Sequence, residues 1–204
     1  MSKPNRYPIP AATVRLEERI VNSRFIATIG HADTVEAAQA FIRAVREEFA
    51  DASHNVYAYK VGYGASITES TTDDGEPAGT AGRPVLAVLH GADVGDVAIV
   101  VTRYFGGTKL GTGGLVRAYG GMARAALEAL PLAERVEKLS VMFTAPYNLY
   151  ERVRQLIAAH HAEVEGEDFG AEVDFILTMP VDDVEPFTAA LRELSAGRVE
   201  VAPL

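Results

Sequence analysis

Apolar and polar positions alternate along the chain in two different rhythms, and the change between them outlines its elements. Thr13–Ile20 and Arg24–Gly30 predict two strands joined at Asn22-Ser23. Ala38, Phe41, Ile42, Val45 and Phe49 recur at helical spacing behind Asp33 and Glu36, a pair that resembles a capping box. Asn55–Val61 predicts a strand, residues 66–82 a polar, turn-rich stretch, and Pro84–His90 a helix carried by Val85, Leu86 and Leu89. Val97–Thr102 is an unbroken apolar run short enough for a buried strand. Leu115, Tyr119, Met122, Ala126 and Leu130 then share one helix face. Gly120 and Gly121 interrupt that helix at a cost of about 1 kcal/mol each relative to alanine. A neighbouring element or a ligand close to the backbone is expected there.

The last third follows a simpler order. Leu139–Ala145 predicts a strand, and Leu149, Val153, Leu156 and Ile157 a helix after Pro146. Ala162–Gly166 predicts a second strand, Asp168-Phe169-Gly170 a turn, and Val173–Met179 an alternating third strand. Val184, Phe187, Leu191 and Leu194 mark a helix with Asp182 or Asp183 as its N-cap. Gly197 ends it, and Arg198–Ala202 is the last strand. The order βαββαβ is ferredoxin-like, a pattern that indicates fold and not function. Pro131 and the polar run Glu134–Lys138 divide the chain into domains at 1–136 and 137–204, together an α+β protein.

Charge sharpens the division. The formal net charge over 204 residues is -9, yet Leu139–Leu204 holds twelve acidic residues against four basic ones. Bulk attraction to nucleic acid is therefore confined to the first domain. The absence of cysteine excludes disulfides, thiolate metal sites and cysteine nucleophiles. No window reaches the roughly 18 apolar residues of a membrane helix. The segment Met1–Arg6 leads into no signal core, so a cytoplasmic protein without a membrane partner is expected.

Candidate chemistry gathers where acids are missing. Between Val97 and Leu127 there is no Asp or Glu, while Arg103, Lys109, Arg117, Arg124 and seven of the 18 glycines lie there. A strand feeding a glycine loop and then a helix exposes backbone N–H groups, natural ligands for phosphate. Gly106 and Gly111 have Walker-like spacing, but Thr112 stands where lysine is needed. Gly111, Gly113 and Gly114 do not complete a dinucleotide fingerprint. Arg103 beside Tyr104 and Phe105 suits phosphate contact and base stacking, or a strand end with Phe105 in the core. Asp73, Asp74 and Glu76 offer oxygen ligands for Mg²⁺, or simply turn chemistry. Gly79-Thr80-Ala81-Gly82, with Arg83, adds a second set of N–H groups at a helix start. His54 is a candidate general base or a loop tie.

These residues also form a recognisable series. His54-Asn55, Asp73-Asp74-Gly75-Glu76-Pro77, Gly79-Thr80-Ala81-Gly82, Arg103-Tyr104-Phe105-Gly106-Gly107, Leu110-Gly111 and Gly113-Gly114-Leu115-Val116-Arg117-Ala118-Tyr119 resemble the signature of the IMPACT family. The chain is most similar to its bacterial YigZ-like branch. The resemblance implies a first domain like domain 2 of ribosomal protein S5 and a second like the last domain of elongation factor G. It also implies a link to translation, through RNA or the ribosome, without catalysis. In that reading Arg83, Arg103, Tyr104, Gly106, Gly107, Lys109, Gly111, Gly113, Gly114 and Arg117 form one basic groove, and no cofactor is required. Two alternatives follow from the residues. One is a Mg²⁺-dependent enzyme acting on a phosphate ligand, with His54, Asp73, Asp74 and Glu76 as its candidates. The other is a regulator whose acidic second domain docks a protein partner.

Overall fold

The computed structural model describes residues 6–204, so the segment inspected for a leader lies, but for Arg6, outside the described residues. The chain divides into two compact units, Met1–Arg135 and Val136–Leu204. The fold is mixed α+β.

In the first unit the strands β1 (Arg6–Pro10), β2 (Val14–Ile20), β3 (Ser23–His31), β4 (His54–Tyr63), β5 (Ser66–Thr72), β6 (Val97–Tyr104) and β7 (Leu132–Val136) accompany the helices α1 (Val35–Glu48), α2 (Gly82–His90) and α3 (Gly111–Glu128). Five strands form an antiparallel sheet in the order β2-β3-β6-β4-β5. The apolar run is its centre. Val97, Ile99 and Val101 of β6 pack with Val85 and Leu89 of α2 and Leu115, Tyr119 and Met122 of α3. Ala98 and Val100 point the other way, toward Ala38, Ile42 and Val45 of α1. A strand covered on both faces has no polar side to show, which is why it reads as continuous hydrophobicity.

Three strands escape the pattern-based reading. The polar stretch at 66–72 is the edge strand β5, rich in Ser and Thr and paired along β4. β1 and β7 pair with each other in a two-stranded sheet. Asp96, fully buried, ties them in: it accepts from Tyr7 Oη at 2.8 Å, Gly62 N at 2.8 Å and Arg135 Nη1 at 2.6 Å. Burial together with the Asp96 carboxylate pushes the Tyr7 phenol up to about 12. Local signals at helix ends also differ from expectation. Thr34, not Asp33, caps α1, accepting from Ala37 N at 3.0 Å. An alanine Cβ at Gly120 meets only ordinary van der Waals contacts and one at Gly121 meets nothing within 4 Å, so no neighbouring element comes close enough to require glycine at either position.

The second unit contains β8 (Lys138–Ala145), α4 (Tyr150–Ala159), β9 (Glu163–Phe169), β10 (Val173–Pro180), α5 (Val181–Leu194) and β11 (Ala202–Pro203). Their sheet order, β11-β8-β10-β9, is ferredoxin-like. Phe143 and Phe175 stack at 5.0 Å in its core, beside Phe187. The last strand is shorter and later than the sequence pattern predicts. Pro180 occupies the N-cap of α5, so Asp182 and Asp183 lie in its first turn. There they still favour the positive end of the helix.

A groove at the start of the third helix

The site begins with strand alternation. Continuing Val97, Ile99 and Val101 by two residues brings Arg103 onto the α2–α3 side of the sheet, 4% exposed. Its guanidinium lies 5.5 Å from the Phe25 ring and 5.4 Å from the Phe105 ring. A buried cation needs a partner, and Glu76 supplies it: Arg103 Nη1 donates to Glu76 Oε1 at 2.6 Å. Tyr119 Oη donates to the same oxygen at 2.8 Å, and Arg103 Nη2 donates to Ser23 Oγ at 3.1 Å. Burial and the Glu76 carboxylate hold the Tyr119 phenol far above its ordinary range. Arg103 is thus the centre of an internal network and not the free cation expected.

His54 joins this network from β4. Its Nδ1–H donates to the Asp74 carbonyl at 2.8 Å, leaving Nε2 turned toward Glu76 Oε1, 3.7 Å away. The hydrogen bond fixes the tautomer, so the neutral ring keeps its acceptor at Nε2.

The three carboxylates of the Asp-Asp-Gly-Glu segment diverge. Asp73 accepts from the backbone N–H groups of Gly79 (2.7 Å), Ala81 (3.0 Å) and Gly82 (2.8 Å). Burial acts to raise its pKa, but these three bonds and nearby Arg83 outweigh that and leave it below the usual value. Asp74 accepts from Asn55 N at 2.6 Å and pairs with Arg46. Glu76 belongs to Arg103. The three carboxylates do not converge as the Mg²⁺ alternative would need, and among the described residues no group of three or more His, Asp or Glu that could hold a metal ion occurs. Of the amides expected to be free at 79–82, those of Gly79, Ala81 and Gly82 are occupied by Asp73 and that of Thr80 by the Pro77 carbonyl.

The start of α3 is different. Gly106 belongs to its approach for a steric reason: a Cβ there would lie 1.7 Å from the Asn22 carbonyl oxygen. Gly107 and Gly111 have positive φ, and at Gly111 the value of 69° lets the chain turn into the helix. No side chain caps α3 among the described residues, and its first turn contains no acid. The N–H groups of Gly111, Thr112 and Gly113 lack carbonyl partners within the helix. Gly111 and Thr112 border a groove of about 360 Å³ lined by His54, Glu76, Arg103, Phe105, Lys109 and Leu110, among others.

The remaining candidates are placed elsewhere. Arg117 and Gly114 line a separate groove beside β2, with Glu18. Tyr104 points across the sheet, donating to Asp51 Oδ1 at 2.6 Å beneath the Arg24 guanidinium. Arg83 sits by the Asp73-filled loop. The expected single basic groove is therefore two grooves, with Arg103 neutralised between β6 and α3.

A model of the Impact N-terminal domain matches residues 21–127, more than half of the chain. The chain belongs to the IMPACT family. Residues 143–198 match a second model, a domain of unknown function known as DUF1949. The IMPACT family member YigZ of Escherichia coli K12 is 39% identical over 95% of this chain and 95% of its own length. An IMPACT family member of Haemophilus influenzae is 37% identical over 96% and 95%, respectively. Over 67 residues the chain is also 39% identical to Protein IMPACT of Xenopus laevis, covering 21% of that protein. A solved structure described as a hypothetical protein superposes with a TM-score of 0.71 at 38% identity, covering 98% of both chains.

Within this IMPACT family chain, every residue lining the groove falls inside the matched N-terminal stretch. The signal missed in the sequence was the period of two that carries Val97, Ile99 and Val101 on to Arg103.

Proposed function

We propose that the protein is a cytoplasmic, translation-linked regulator that binds RNA, free or within the ribosome, through α3 and the loop before it. The observation carrying this reading is a set of unspent cations. Lys109, Arg117 and Arg124 are exposed, and among the described residues none forms an ion pair. Arg117 and Arg124 are seven residues apart, two helical turns, and so share one face. Their segment holds no carboxylate, whereas the second unit concentrates the acidic charge. Phosphates are the partners such a face attracts. The family resemblance supplies the translation context. No helix among the described residues is long and apolar enough to cross a membrane.

Titration of single-stranded RNA and of ribosomes across a salt series tests the proposal. Affinity should fall steeply with salt, and Arg117→Ala with Arg124→Ala should flatten the slope by about 0.7 per removed contact for a single strand. Absence of binding at low salt, or a double variant that binds like the parent, overturns it.

A further inference from the structure

The groove at the start of α3 differs from the cationic helix face, and its chemistry is narrower. We propose that it binds a phosphomonoester group carried on an apolar or aromatic body, such as a nucleoside monophosphate or the phosphorylated end of an RNA chain. This goes beyond the reading of α3 as an RNA-binding face and does not depend on it.

Three observations converge. Gly111 and Thr112, whose N–H groups have no carbonyl partner within the helix, line the groove at the positive end of an 18-residue helix with no side-chain cap among the described residues. Lys109, on the same wall, forms no ion pair among the described residues. Arg103 lines the groove with its side chain 5% exposed, and its Nε is the buried side-chain nitrogen that has no hydrogen-bond partner among the described residues. Its other two nitrogens each donate one hydrogen bond, Nη1 to Glu76 and Nη2 to Ser23. A buried N–H left unsatisfied costs stability unless an acceptor completes it. Half-exposed Phe105 lies against the guanidinium and also lines the groove, making it the side chain an incoming oxygen displaces.

Ligand class follows from donors and size. Backbone amides, an ammonium and one guanidinium N–H, supplied by α3, the loop before it and β6, are donors enough for the three terminal oxygens of a phosphomonoester, where a carboxylate offers two. The volume of about 360 Å³ lies near the lower end for small-molecule sites, about 300–1,000 Å³. Pro77, Phe105, Leu110 and Leu115 provide an apolar wall for the body attached to the phosphate. Glu76 does not repel the anion as a free carboxylate would, because Arg103 and Tyr119 both donate to it. His54 Nε2 faces this end of the groove and can accept from a ligand hydroxyl or, when protonated, donate to the phosphate.

The test uses the full chain and three probes: inorganic phosphate, adenosine monophosphate and adenosine. Backbone amide NMR should show Gly111, Thr112 and Gly113 moving with the first two probes. The monophosphate should bind about tenfold or more tightly than adenosine. Lys109→Ala and Thr112→Asp, both at exposed positions, should each weaken it by about fivefold or more, while Arg152→Ala in the second unit changes nothing. Matched RNA hexamers with and without a 5′-phosphate separate the sources. Preference for the phosphorylated hexamer identifies an RNA end, and equal binding of the two hexamers identifies a free nucleotide. Equal affinity for the monophosphate and adenosine, or amide shifts confined to other regions, overturns the proposal. RNA binding without monophosphate binding removes this inference alone. Monophosphate binding without RNA binding removes only the RNA reading.

Discussion

Two helix starts in the first unit look alike in sequence and behave oppositely. Both α2 and α3 follow glycine-containing loops, and neither has a side-chain cap at its N-cap residue. At α2 the carboxylate of Asp73, nine residues before Gly82, folds back onto three amides. At α3 no carboxylate is within reach in sequence, because the chain has none from Val97 to Leu127. The same array of oriented N–H groups is a structural joint where the chain supplies its own anion. It is a place for a foreign anion where the chain does not. The difference lies in the neighbouring side chains, not in the backbone.

The largest expected effect tests the network between the two helices. Arg103→Met leaves Glu76 buried without its cation and should destabilise the first unit by about 3–5 kcal/mol. Adding Glu76→Gln should recover part of that in denaturant melts. If the single variant is as stable as the parent, Glu76 does not need the Arg103 cation and the contrast collapses.

Next comes the filled helix start. Asp73→Ala removes three charge-assisted hydrogen bonds and should cost about 1–3 kcal/mol. It should also create a second anion site, so added phosphate should raise the variant's melting temperature more than the parent's. The parent has a matching acid sensitivity. Asp73 titrates below its ordinary value when folded, so its contribution is present above the unfolded pKa of about 3.9 and is lost as pH falls through the lower folded value. The variant should lack that component of acid destabilisation.

A smaller effect, of opposite sign, is expected at the other helix. Thr112→Asp places a carboxylate in the first turn of α3, making it resemble α2. Stability should rise by about 0.3–1 kcal/mol while phosphate binding weakens by about fivefold or more; unchanged binding would separate ligand affinity from the open amides. Smallest of all, Lys109→Ala should leave stability within about 0.5 kcal/mol of the parent. In RNA titrations it should lower the salt slope by about 0.7.

Much of the fold was legible because burial imposes rhythm. The run from Val97 to Thr102 announced a strand covered on both faces, and the stripe Leu115–Tyr119–Met122–Ala126 announced the inner face of α3. β1, β5 and β7 were not legible: they are short or at an edge, and half-exposed positions impose no strong pattern. Site residues divide the same way. Lys109 and the open amides of α3 could be read from local sequence. Burial of Arg103 followed a period of two that its charge disguised. Its partner Glu76 is 27 residues away, a pairing that no local pattern encodes.

The sequence by itself determined the family, the two-part α+β order and the acid-free segment, since these depend on residue identity and spacing along the chain. Tertiary structure alone decided which charges remain available. Glu76, Asp73 and Asp74 each met an internal donor, and Lys109 met no carboxylate among the described residues. Whether a charge can serve a ligand depends on what surrounds it in space, because a cation already paired in a low-dielectric interior has little attraction left for anything outside.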